Sequence, residues 1–118
     1  MNGKWIEVFK SGVHVDSEGK TVSFTDADLE SIAKKYNEKK HTAPVVVGHP
    51  KDNHPAFGWV AALKTEGGKL KAKLKEVIPE FSEAVKKGLY KKRSISLYPD
   101  MSLRQLGFLG AKPPAVKG

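Results

Sequence analysis

The side chains best suited to chemistry in this sequence are a set of histidines and a pair of closely spaced serines. His49 and His54 stand five apart in Gly48-His49-Pro50-Lys51-Asp52-Asn53-His54. A metal site built from His49, Asp52 and His54 fits no helical or knuckle ligand spacing, and no Cys or Glu completes the set, so no metal is expected. The other chemistry open to a histidine is general-base catalysis, which needs a hydroxyl within hydrogen-bond reach of an imidazole nitrogen. Ser94 and Ser96, in Arg93-Ser94-Ile95-Ser96, are two residues apart and share one face of any strand, with Ile95 and Leu97 on the other. By spacing alone the favoured reading is that they form the polar face of a half-buried strand. Only a partnership with His49 would make one of them a nucleophile for acyl transfer. His14 and His41 lie beside turn signals and are expected at the surface, without a role.

These residues must be held by the elements around them. His49 directly follows Pro44-Val45-Val46-Val47, a β-branched run expected to form a strand buried on both faces. Residues 93–98 form the strand carrying the serines, and residues 102–109 form another after the turn at Pro99-Asp100. Trp5, Ile6, Val8 and Phe9 give a first strand, residues 11–20 read as a turn-rich stretch, and residues 21–24 as a second short strand. Thr25 is placed as the N-cap of a helix whose apolar stripe is Leu29, Ile32, Ala33 and Tyr36. Glu66-Gly67-Gly68 is a hairpin signal. Beyond it, Leu70, Ala72 and Leu74 alternate with Lys69, Lys71, Lys73 and Lys75, the pattern of a strand with one wet face. Pro79 opens a second helix, with Phe81, Ala84 and Val85 inward and Gly88 at its end. The pattern predicts an α+β fold: a small, mostly antiparallel, partly open β-barrel of about six or seven strands with two packed helices.

A chain of 118 residues, 39% of them hydrophobic, suits one domain with one core. It has no cysteine, which excludes disulfides and thiolate metal sites and is compatible with a reducing compartment. No apolar stretch is long enough to cross a bilayer, and the charged residues among the first ten do not suit a secretory signal. Twenty-one Lys and Arg against thirteen Asp and Glu leave a net charge of +8, which favours acidic partners. Residues 1–111 are read as the domain. Residues 112–118, beginning Lys112-Pro113-Pro114, are read as the start of a Pro-rich linker toward a region beyond this chain.

Several blocks in order resemble a known family: Pro44-Val45-Val46-Val47-Gly48-His49-Pro50, Phe57-Gly58-Trp59-Val60, Lys91-Lys92-Arg93-Ser94-Ile95-Ser96 and Phe108-Leu109-Gly110-Ala111-Lys112-Pro113-Pro114. Over nearly its whole length the chain resembles the I-protein family of Mu-like phages and prophages, head-maturation proteases whose gene also encodes a capsid scaffold. More remotely it is similar to the prohead proteases of other tailed phages and to herpesvirus assemblins, which carry a Ser–His core on a β-barrel with helices.

The resemblance implies a serine endopeptidase with Ser94 as nucleophile, Ser96 in reserve, His49 as general base and Gly58 as the glycine downstream of it. The third, orienting residue departs from the family: Gln105 stands where a His or an acid is expected, and its carbonyl could accept from the His49 ring. Asp52 and Asp100 are the substitutes. Oxyanion donors are expected near Phe108-Leu109-Gly110. The resemblance further implies no cofactor, scaffold and major capsid proteins as substrates, possible self-association, no membrane, and a location in the host cytoplasm inside the assembling procapsid. Two other readings stand beside it. One is a catalytically impaired protease-like domain acting only in assembly. The other is a nucleic-acid-binding face built on Lys69, Lys71, Lys73, Lys75, Lys91, Lys92 and Arg93, which the shortage of interleaved aromatics disfavours.

Overall fold

A computed structural model of the chain describes residues 1–16 and 18–111; the expected linker at 112–118 lies outside the described residues. In chain order the elements are β1 (Trp5–Lys10), β2 (Gly12–Val15), β3 (Thr21–Phe24), α1 (Asp26–Lys35), β4 (Pro44–Val47), β5 (Gly58–Glu66), β6 (Lys69–Lys75), α2 (Pro79–Lys86), β7 (Lys92–Leu97) and β8 (Leu103–Leu109). Among the described residues the chain is α+β with two helices, as expected. It has eight strands among the described residues, not six or seven. They form a six-stranded sheet in the order β1-β6-β5-β4-β8-β7 and a separate β2-β3 hairpin. β4 and β8 run parallel, and the other ladders are antiparallel.

Each helix boundary has a local cause. Thr25 Oγ1 accepts from the Asp28 amide at 3.1 Å while the Asp28 carboxylate accepts from the Thr25 amide at 2.8 Å, a complete capping box. Pro79 occupies the first turn of α2, where its missing N–H costs nothing. The β5-β6 hairpin turns on Gly67 (φ 57°) and Gly68 (φ 76°). Two left-handed residues in succession make a type I′ turn, which glycine adopts without steric cost.

The core lies on the sheet's inner face under the two helices. Leu29 and Ile32 of α1 are fully buried with Val45, Val60, Leu70, Ala72, Leu74, Leu103, Leu106 and Phe108. Phe81 of α2 stacks on Phe57 and meets Phe108 edge-on, each at 5.2 Å between ring centroids. The valine strand is buried on both faces at Val45 and Val46, as its composition predicted, and reaches the surface at Val47.

The stretch at 11–20 is not simply a turn. It contains β2, which pairs with β3 from Gly12↔Phe24 to Val15↔Thr21. His14 is likewise not a free surface histidine. It is half-buried, its ring stacks on Phe9 at 4.2 Å, and its Nε2 lies 2.7 Å from the Lys10 carbonyl oxygen. Val13 and Val15 take the solvent side instead.

Candidate active site

His49 is placed by the way β4 leaves the sheet. Gly48 has φ 74°, a left-handed conformation that turns the chain, and its amide donates to the Phe108 carbonyl at 3.0 Å. The segment then folds back along the outer face of β8. A Cβ added to Gly107 would lie only 2.4 Å from the Gly48 carbonyl oxygen, so Gly107 is the residue that permits this approach. Gln105 Nε2 donates to the Pro50 carbonyl at 3.3 Å, and an Arg104 guanidinium N–H donates to the Lys51 carbonyl at 3.1 Å. His49 itself is exposed.

Ser94 lies on β7, half-buried, opposite Gly107 of β8, which in turn stands opposite Val46 of β4. The row Val46, Gly107, Ser94 therefore crosses three strands, with Ser94 two strand spacings, about 10 Å, from Val46. The Gly48 carbonyl oxygen takes the space of a Gly107 Cβ, and the backbone carbonyl oxygen of Ser94 lies 3.7 Å from that same position. Gly48, the residue before His49, and Ser94 are thus both neighbours of Gly107. Ile95 and Leu97 pack against the core on the opposite face, as alternation predicted. Among the described residues no hydrogen bond joins Ser94 to His49.

Ser96 pairs with Gln105, whose Nε2 lies 3.5 Å from Ser96 Oγ. At 6% exposure, Gln105 is the buried polar residue of the described core. Its amide faces Pro50 and Ser96, and no hydrogen bond links it to the His49 ring among the described residues. A register shift lets it face outward: Ser96 pairs with Gln105 but Leu97 with Leu103, leaving Arg104 as the extra residue of a β-bulge. Without the bulge Gln105 would share a face with Leu103, which is buried in the core.

The remaining expectations fall elsewhere. Asp52 and His54 are exposed in the loop after His49. Asp100 accepts from the Ser102 hydroxyl at 2.6 Å and from its amide at 2.9 Å, and these bonds hold its carboxyl below the usual range. Gly58 has a packing reason, since a Cβ there would lie 2.9 Å from Val77 Cγ2. His41 is exposed as expected but engaged: its ring meets Tyr98 edge-on at 5.3 Å, and its Nε2 lies 3.3 Å from the Arg104 carbonyl oxygen. It borders an open cleft with Lys35, Lys40, Asp100 and Ser102, to which neither Ser94 nor His49 contributes. Nothing local in the sequence pairs His41 with residues more than fifty positions away.

The alternating lysines are largely neutralised in place. Lys69 lies 3.5 Å from Glu7 and Lys71 2.7 Å from Glu66. Lys75 Nζ is 2.9 Å from Glu38 Oε2, an ion pair whose angle falls outside hydrogen-bond geometry. Lys73 and Lys64 sit over the Trp5 ring, at 5.8 and 4.6 Å from its centroid.

Comparison of the chain with protein-family models, curated proteins and solved structures finds no match.

Proposed function

We propose that the chain is the protease domain of a phage head-maturation protein of the Mu-like I type, with Ser94 as nucleophile and His49 as general base. The observation that carries this reading is the shared border at Gly107. Two segments remote in sequence, one ending β4 and one within β7, flank a single missing side chain on the outer face of the sheet. The exposed His49 ring, on this reading, turns toward Ser94 and takes the hydroxyl proton as Ser94 attacks a peptide carbonyl, and His49 then returns the proton to the leaving amine. On this reading the sheet is a partly open barrel of the assemblin and prohead-protease kind. Its substrates are scaffold and major capsid proteins, with self-cleavage, inside the procapsid in the host cytoplasm. The test is cleavage in the full-length protein co-expressed with its scaffold and capsid partners: Ser94→Ala abolishes processing, whereas Ser96→Ala retains it. Processing that survives Ser94→Ala overturns the assignment.

A second reading, an assembly domain that no longer cuts, is favoured by one observation: the Gln105 amide is directed at Pro50 and Ser96, so no carboxylate or carbonyl is supplied to the His49 ring from that position. A fluorophosphonate probe separates the two, since covalent labelling at Ser94 requires an activated hydroxyl.

A further inference from the structure

We infer that Arg104 and Gln105 are positioning residues, which hold the loop carrying His49 against β8 by donating to the carbonyls of Pro50 and Lys51. The inference rests on the proposed protease reading and assigns Gln105 a different task from that of a triad member: it grips the backbone beyond His49 and leaves the ring alone.

Three features converge on this loop. The bulge at Arg104 turns two consecutive side chains toward it, where a regular strand would offer only alternate ones. Those side chains reach successive carbonyls, Gln105 to Pro50 at 3.3 Å and Arg104 to Lys51 at 3.1 Å. Gly107 provides the floor, since the Gly48 carbonyl oxygen occupies the space a side chain would need. Pro50 fixes one dihedral between the two anchored ends. Gln105 is buried, and the Pro50 carbonyl at 3.3 Å and Ser96 Oγ at 3.5 Å are the partners its Nε2 finds there.

The test combines hydrogen exchange of the Gly48 amide, which donates to the Phe108 carbonyl, with the rate of fluorophosphonate labelling at Ser94, both on the full chain. Replacing both anchors (Arg104→Ala with Gln105→Ala) should raise exchange at Gly48 roughly tenfold or more while leaving the β4 amides of Val45 and Val46 protected. Labelling should slow by on the order of tenfold or more, as small displacements of a general base cost large factors in rate. Arg104→Lys should restore part of the loss. Gln105→Glu should not, because an ionised carboxylate has no proton to donate to Pro50. If the double variant does not fold, Arg104→Ala alone decides, through exchange at Gly48. Unchanged Gly48 exchange overturns the inference, as does faster exchange with unchanged labelling. Absence of labelling in the unsubstituted chain overturns the protease reading instead, and the exchange data then decide the anchoring by themselves.

Discussion

At the residue scale, the side chain whose removal should be felt most directly is Tyr36, just past the end of α1. Its hydroxyl donates to the Val60 carbonyl and accepts from the Ala43 amide at 3.0 Å, stitching β5 to the segment leading into β4. Tyr36→Phe keeps the ring but leaves the buried Ala43 N–H without a partner, so it should cost about 1–3 kcal/mol. Urea unfolding should show a lower midpoint at unchanged slope. Burial pushes the Tyr36 phenol pKa up, with Glu38 adding to the rise and the Ala43 amide opposing it. A phenol that ionises later in the folded chain than in the unfolded one contributes stability that is fully present below about pH 10 and is lost as pH climbs toward its folded value. Tyr36→Phe should therefore flatten the alkaline fall in stability, and an unaltered pH profile would contradict the assignment. Nothing in the local pattern around Tyr36 announced this role; its helical spacing identified only an inward ring. The site residues divide the same way. Alternation along β7 placed Ser94 and Ser96 together on the outer face, whereas the hold of Gln105 on Pro50 spans 55 positions and depends on a bulge that only the partner strand reveals.

At the element scale, local rules read well where the cause is local. The Thr25–Asp28 capping box predicts that Thr25→Ala lowers stability by about 1–2 kcal/mol, with Thr25→Ser close to unchanged, measurable as shifts in thermal midpoint and helical circular dichroism. Equal losses for the two substitutions would show that the threonine methyl, not the hydroxyl, is what matters. The same locality made Pro79, the Gly67-Gly68 turn and the lysine-alternating strand legible. β2 was not, because its pattern is inverted: Val13 and Val15 stand 70% and 69% exposed while His14 turns inward onto Phe9. A strand whose polar residue is the packed one, in a hairpin outside the main sheet, carries no apolar alternation pointing to the core. The parallel β4–β8 pairing was equally invisible, since it joins segments about sixty positions apart and no local turn fixes its register.

At the scale of the molecule, three register shifts, in β1, in β5 and at Arg104 of β8, bend the sheet so that its edge strands β1 and β7 approach each other. No ladder joins them among the described residues. Arg93 of β7 reaches across instead, donating to the Glu7 carbonyl at 3.0 Å with its guanidinium 5.4 Å from the Phe108 ring centroid and its Nε buried without a partner. Arg93→Ala should cost about 1.5–3 kcal/mol and speed amide exchange in β1, the strand it ties down. The distribution of charge leads to the last expectation. Of the residues that read as a nucleic-acid face, Lys69, Lys71, Lys73 and Lys75 stand beside Lys64 with Glu7, Glu38 and Glu66 among them. On this part of the face five cations meet three carboxylates, while Lys91, Lys92 and Arg93 lie apart, on β7 and just before it. A surplus of about two charges releases few counterions, so binding to a DNA duplex should weaken only on the order of tenfold between 50 and 200 mM salt, with a logarithmic slope near −2. Such a slope, measured by fluorescence anisotropy, describes weak attraction to any polyanion. A slope of −5 or steeper would require concerted contacts by the further cations of that reading, Lys91, Lys92 and Arg93, and would return nucleic-acid binding to the front.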